Sequence, residues 1–172
     1  AKKIAQMIAL MNGRSKRVLA VDFDNTLWPG SLAEDRIDLD KGDVVSAAFR
    51  RFQLYLKILK ERGIFLVGLT KNDPEIVTNE FDQIPGGILK KSDFVVIESS
   101  WLDKSIGIQR IAQTLNLDLG TFVYIDDDVV EIEQMRIGQP MVESLWLKKD
   151  PAERTRQLVE LAPFTSFVLT RE

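Results

Sequence analysis

The chain reads as an α/β protein with a parallel sheet covered by helices on both faces. Five short segments, RVLAVDF (17–23), IFLVGL (64–69), DFVVIE (93–98), TFVYI (121–125) and MVESLWL (141–147), are nearly continuously apolar. Between them lie stretches whose apolar residues recur at helical spacing. Strands without polar alternation must be covered on both sides, and helices between consecutive strands supply that cover. The 172 residues suit one domain with a full core. We expect a single domain over 1–172, one that could equally be part of a longer protein.

Taken in order, Ile4, Met7, Ile8 and Met11 predict a short amphipathic helix before the first strand. Arg14, Lys16 and Arg17 read as a solvated approach to that strand. Residues 29–42 are polar and turn-rich, so a loop or small flap is expected. A long helix is predicted from Asp43 to Arg62, with Val45, Ala48, Phe49, Phe52, Leu56 and Leu59 on one face and Gly63 as its stop. Asp73-Pro74 and Asp150-Pro151 are each a cap residue followed by a proline at the first helical position. They predict helices to about Phe81 and Leu161. Asp103 caps a helix carrying Ile108, Ile111, Ala112 and Leu115, and a further helix passes through Glu131 and Met135.

Composition narrows the chemistry. The chain has no His and no Cys, which excludes imidazole and thiolate ligands, disulfides and a cysteine nucleophile. Any metal site must be built from oxygen, pointing to magnesium or calcium. A net charge of −3 without a basic stripe argues against nucleic acid as a partner. No apolar run approaches the ~20 residues of a membrane span, and nothing resembles a targeting segment, so a cytoplasmic protein is expected.

In such sheets ligands bind beyond the carboxyl ends of the strands. There the sequence sets Asp22-Phe23-Asp24-Asn25-Thr26, Thr70-Lys71-Asn72 and Asp126-Asp127-Asp128, with Lys104 opening the helix after strand three. Strand alternation lets Asp22 and Asp24 point the same way. Clustered carboxylates repel unless a cation neutralises them. With no His or Cys, an aspartate is the natural nucleophile toward phosphorus, supported by a metal, a lysine and a hydroxyl. Each piece also has a plainer reading: a turn after a strand for DxDxT, a helix-capping cluster for Asp126–Asp128, and a solvated side chain for Lys104. A calcium loop beginning at Asp22 fails, because Leu27 and Ala33 stand where Gly and Glu are needed. Neither G-x-x-x-x-G-K-[ST] nor G-x-G-x-x-G occurs.

The order Asp22-x-Asp24-x-Thr26, Thr70, Lys104, Asp126-Asp127 resembles the four motifs of the haloacid dehalogenase (HAD) superfamily. The strings VDFDNTLWPG (21–30), WLDKSIGIQRIAQTLNL (101–117) and FVYIDDDVVEIEQMR (122–136) resemble its FkbH-like branch, subfamily IIIC. The resemblance implies a Rossmannoid three-layer sandwich with strand order 3-2-1-4-5 and a minimal cap. It implies Mg²⁺ held by Asp22, the carbonyl of Asp24, Asp126 and Asp127. Asp22 would be the nucleophile and Asp24 the acid/base, with Thr70 and Lys104 on the transferring phosphoryl. Asn25, Thr26, Lys71 and Asn72 are expected to bind substrate. FkbH-like proteins take a glyceryl unit from 1,3-bisphosphoglycerate, a phosphorylated three-carbon acyl donor. They load it on an acyl carrier protein in polyketide biosynthesis and remove the phosphate. Some members carry a cysteine between the two motif aspartates that can hold the acyl group; here that residue is Phe23. The competing readings are a plain magnesium phosphatase and a catalytically silent docking domain of a synthase. The intact acids argue against the silent domain.

Overall fold

The computed structural model describes residues 15–161 and Phe164. The helix expected at Ile4–Met11 and the side chain of Arg14 lie outside the described residues. Five strands form one parallel sheet: β1 (Val18–Val21), β2 (Phe65–Thr70), β3 (Phe94–Ser99), β4 (Phe122–Asp126) and β5 (Glu143–Trp146). Their order is β3-β2-β1-β4-β5, as the resemblance implied. The helices are α1 (Val44–Glu61), α2 (Pro74–Glu80), α3 (Lys104–Leu115), α4 (Val129–Gly138) and α5 (Pro151–Leu161). Among the described residues no helix is long and apolar enough to cross a membrane.

Alternation along β1 builds two cores. Val18 and Ala20 pack with Ile108, Ile111 and Ala112 of α3 and with Ile132 and Met135 of α4. Leu19, Val21 and the following Phe23 pack on the other face with Phe49, Phe52 and Leu56 of α1 and Leu158 of α5. The same alternation sends Asp22 toward the α3 side, where Lys104 begins that helix.

Strand ends differ from expectation by a residue or two, and the differences matter. The apolar runs stop at Leu69 and Ile125, whereas β2 and β4 run one residue further and end on Thr70 and Asp126. The sheet still pairs them, Thr70 with Ser99 and Asp126 with Trp146. Val21 lies level with Gly68 and Ile125, so the next step sets Asp22 beside Asp126. The strands thus carry the candidate side chains to one edge of the sheet.

The capping signals hold in part. The Asp43 carboxylate accepts from Ser46 N at 2.7 Å, Asp103 accepts from Ser105 N at 2.8 Å, and Asp150 accepts from Ala152 N at 2.9 Å. Asp73 occupies the cap position before Pro74 but its side chain makes no capping bond. Gly63, at φ 93°, ends α1. The 29–42 flap is not loose, since Leu32, Ile37 and Leu39 are buried and Leu39 N donates to Pro85 O at 2.8 Å. Lys16 is less solvated than expected: its Nζ donates to Gly120 O at 2.9 Å.

Phe23 is wholly buried in an aromatic cluster with Trp28, Phe81 and Phe94, at ring centroid separations of 5.7, 5.1 and 5.3 Å. Its ring lies over Gly68 of β2, where a Cβ would meet Phe23 Cζ at 2.5 Å. Gly68→Ala is therefore expected to cost about 1–3 kcal/mol through overpacking. Phe23→Leu in that background should restore part of the loss. Urea denaturation of the four proteins should give a coupling above about 0.5 kcal/mol; additive effects would refute the contact as the cause.

Candidate active site

Asp22, Asp126 and Asp127 each offer a carboxylate oxygen, and these atoms lie within 4.8 Å of one another. Lys104 Nζ sits between two of them, 2.7 Å from Asp22 Oδ1 and 2.6 Å from Asp126 Oδ2. All three members of this bridge are buried. Burial works against the ammonium, but Asp22 and Asp126 more than reverse it and raise the Lys104 pKa. Burial, reinforced by Asp126 and opposed by Lys104, pushes Asp22 up to about 7. Burial and then Asp126 also raise Asp127.

Each acid is held by its own partners. Asp126 Oδ1 accepts from Asp128 N at 2.9 Å, and Oδ2 accepts from the hydroxyl of buried Tyr124. Thr26 Oγ1 donates to Asp127 Oδ1 at 3.1 Å. Asp24 accepts from Trp28 Nε1 at 3.1 Å, Leu32 N at 3.0 Å and Asn72 Nδ2 at 2.9 Å. Asp128 caps α4 through Val130 N at 2.8 Å. The Asp126–Asp128 run is thus both things the sequence allowed, a helix cap at its end and an acid pair before it.

The acids open into a cavity of about 440 Å³ whose lining includes Asp24, Thr70, Lys71, Lys104 and Glu131. Two of the residues expected to bind substrate stand behind the cavity. Thr26 and Asn72 are buried, do not line the cavity, and use their side chains to hold Asp127 and Asp24. Asn25 lines the cavity, but its Oδ1 accepts from Gly30 N at 2.9 Å and its backbone is left-handed, φ 58°. It shapes the turn after Asp24. Lys71 lines the mouth and is ion-paired with Glu131. The carboxylate of Asp24 lies outside the close acid cluster, so any role toward a metal falls to its main chain. Lys104 is not the solvated helix-start residue of the plainer reading.

Sequence reasoning missed four residues. Tyr124 had a signal, since it lies two residues before Asp126 and so shares its face. Trp146, whose Nε1 donates to Asp127 O at 2.9 Å, stands at a strand end like the others. Glu131 carries a buried carboxylate oxygen without a partner among the described residues. Arg154 had no local signal. From α5 it donates to Asn25 O at 2.7 Å and Thr26 O at 3.1 Å, and these two contacts span 129 and 128 residues of sequence.

All the candidate ligands are oxygens: Asp126 is anchored by Tyr124 and the Asp128 N–H, Asp127 by Thr26, and Asp22 by Lys104. That is a donor set for a hard divalent cation.

No protein-family model and no curated protein matches the chain. Solved structures do. The N-terminal part of the protein BF1531 from Bacteroides fragilis, which contains a phosphatase domain and was solved with Mg, is 30% identical with a TM-score of 0.88. The match covers 95% of this chain and 44% of that one, so the chain spans less than half of that relative. The HAD domain of the effector Lem4 from Legionella pneumophila is 14% identical with a TM-score of 0.56, covering 86% and 96% of the two chains. A 3-deoxy-D-manno-octulosonate 8-phosphate phosphatase from Moraxella catarrhalis, solved with magnesium and phosphate, is 17% identical with a TM-score of 0.52. It covers 90% of each chain, and at such identities the likeness is one of fold.

Lys104→Met keeps the stem and removes the charge, leaving Asp22 against Asp126. Without metal at pH 8 it should cost about 3–5 kcal/mol of unfolding free energy, as breaking a buried pair does. Protonation of Asp22 relieves the repulsion, so the loss should shrink at pH 5. Equal losses at both pH values by urea denaturation would place the lysine's contribution elsewhere.

The raised Asp22 pKa carries its own sign. The folded value of about 7 lies above the unfolded carboxylate range. Its contribution to stability is present at low pH and lost as pH rises through about 7. Asp22→Asn should remove that loss and make the metal-free protein more stable than wild type at pH 8 by roughly 1 kcal/mol or more. A less stable variant at pH 8 would contradict it.

Proposed function

We propose that the chain is a member of the haloacid dehalogenase superfamily and a magnesium-dependent phosphatase working through an aspartyl-phosphate on Asp22, a reading that the likeness to the BF1531 phosphatase domain supports. One observation carries the reading: a buried ammonium bridges Asp22 and Asp126, with Asp127 within reach of both. A cavity lined by six acids and two lysines would repel a phosphate dianion on its own. A divalent cation reverses that balance, and Asp22, Asp126 and Asp127 would hold it. When bound, magnesium supplies positive charge to the phosphoryl oxygens.

The chain's own residues do the rest. An Asp22 carboxylate oxygen attacks phosphorus, and the bond from phosphorus to the leaving oxygen breaks. Asp24, oriented by Trp28 and Asn72, gives that oxygen a proton. It then takes a proton from water, whose oxygen attacks phosphorus and frees Asp22 and inorganic phosphate. Lys104 and the Thr70 hydroxyl hold the non-bridging oxygens.

We further infer the FkbH-like activity: dephosphorylation of 1,3-bisphosphoglycerate-derived substrate and transfer of the D-glyceryl unit to an acyl carrier protein in polyketide biosynthesis. The motif strings support it, as does the open mouth, whose lining includes no residue of the 29–42 flap. Residue 23 faces the aromatic core, so the acyl group passes straight to the carrier. The carrier sulfur bonds the acyl carbon, the bond from that carbon to phosphate oxygen breaks, and the thiol proton leaves with solvent. Asp22 then removes the remaining phosphate.

Exhaustive chelation or Asp22→Asn should abolish phosphate release, and Lys104→Ala should lower turnover roughly 10²–10³-fold, the scale of one preorganised donor. Changes under twofold in steady-state assays would remove these residues from the reaction. A phosphopantetheinyl carrier incubated with the protein, Mg²⁺ and 1,3-bisphosphoglycerate should gain a glyceryl adduct by intact mass. Phosphate without an adduct selects the plain phosphatase. Because Asp22 must shed its proton to bind a cation, Mg²⁺ binding should tighten as pH rises through about 7 and release a proton at pH 6. Calorimetry in buffers of different ionisation enthalpy measures that proton; none released would contradict the ligand assignment.

A further inference from the structure

Beside the catalytic cavity lies a second one of about 440 Å³. Its walls are the apolar side chains of Pro29, Val45, Phe49 and Pro151. The two cavities share Asn25, Asp127 and Trp146 in their linings, so they adjoin along that line. No step described above uses the second space. Val45 is 50% exposed on the first turn of α1, and Trp146 is 53% exposed at the end of β5. Both leave apolar surface uncovered beside a strongly acidic site. Lys149 stands in the same lining and makes no ion pair among the described residues.

We propose that this second cavity seats the organic part of the phosphorylated substrate, and that this part is a predominantly apolar group. The inference rests on the plain phosphatase reading, since it places the phosphoryl group among Asp22, Lys104 and the metal ligands, and it names a substrate class that competes with the glyceryl donor of the carrier reading. Three properties of the space select the occupant. Its volume exceeds that of a three-carbon unit and suits a bicyclic ring or a branched chain. Its Val, Phe and Pro walls gain from burying carbon and offer few partners to hydroxyls, so a polyol would leave polar groups unpaired. Its continuity with the acids past Trp146 lets one molecule occupy both spaces, phosphate in one and apolar group in the other. The unpaired Lys149 ammonium favours an acceptor or an anion at the far end of that group. The Arg154 guanidinium also lines the cavity, but it is spent on the carbonyls of Asn25, Thr26 and Lys148 and stacks 5.3 Å from the Phe49 ring. It builds the wall and does not recruit a ligand.

Two measurements test this. The first is calorimetric binding to the wild-type protein with Mg²⁺, comparing 1-naphthylphosphonate with methylphosphonate. The naphthyl compound should bind at least tenfold tighter, and equal affinities would overturn the proposal. The second uses Val45→Trp, a half-exposed position where a larger side chain fills the cavity without entering either core. The preference for 1-naphthyl phosphate over acetyl phosphate, as the ratio of kcat/KM, should fall at least tenfold. A ratio unchanged within twofold would overturn the proposal. Tight, Val45-sensitive binding of the naphthyl phosphonate with no Mg²⁺-dependent turnover of any phosphate would instead overturn the phosphatase reading and uphold the apolar site.

Discussion

The bridge from Asp22 through the Lys104 ammonium to Asp126 is the constraint around which the rest of the carboxyl edge is arranged. Three carboxylates within 4.8 Å of one another repel strongly once removed from water. A lysine among them is stable only if the backbone delivers it without strain. Here it is the first residue of α3, and Ile108, Ile111 and Ala112 fix that helix against β1 and β2. Gly107 permits the approach, since a Cβ there would meet Leu69 Cδ1 at 2.7 Å. Gly138 serves in the same way, because a Cβ would meet Ser105 at 2.7 Å. Packing on one face of the sheet thus sets an electrostatic geometry at its edge.

The opposite face holds the site by different means. Arg154 reaches from α5 to the carbonyls of Asn25 and Thr26, and Gln53 of α1 donates to Leu27 O at 2.7 Å. These bonds pin the turn that carries Asp24 and Thr26. Thr26 then holds Asp127, which lies on the adjacent strand end. The turn and the acid pair are therefore tied to each other by a hydroxyl, while each is tied to a different layer of helices. Such support keeps reactive groups in place before substrate arrives, which is where most electrostatic catalysis originates.

Much of this was legible in the sequence because the physical signals were local. Apolar runs gave the five strands, and cap-plus-proline pairs gave the starts of α2 and α5. The acids were found because an open parallel sheet gathers its strand ends at one edge. What escaped depended on three-dimensional neighbours. Nothing in the string distinguishes a Thr26 that binds substrate from one that holds Asp127, since both need a hydroxyl at a strand end. Burial decides it, and burial depends on helices more than a hundred residues away. Lys104 was read correctly as to place, but its burial and double bridge could not be inferred from a helix-start lysine. Arg154 sits in a helix that reads as ordinary and amphipathic, and the Asn25 and Thr26 carbonyls it holds lie far along the chain.

Phe23 ties fold and chemistry together. It stands between Asp22 and Asp24, yet alternation turns it into the aromatic cluster with Trp28, Phe81 and Phe94. The residue between the acids therefore belongs to the core, and Gly68 is the concession β2 makes to its ring. A side chain on that face cannot reach a group bound beside Asp22 unless the backbone between the two acids turns over. Such a turn would pull Asp24 away from Trp28, Leu32 and Asn72, which together hold both of its oxygens. The arrangement that orients the proposed acid/base thus also keeps position 23 in the core, and leaves Asp22 as the proposed nucleophile at the cavity.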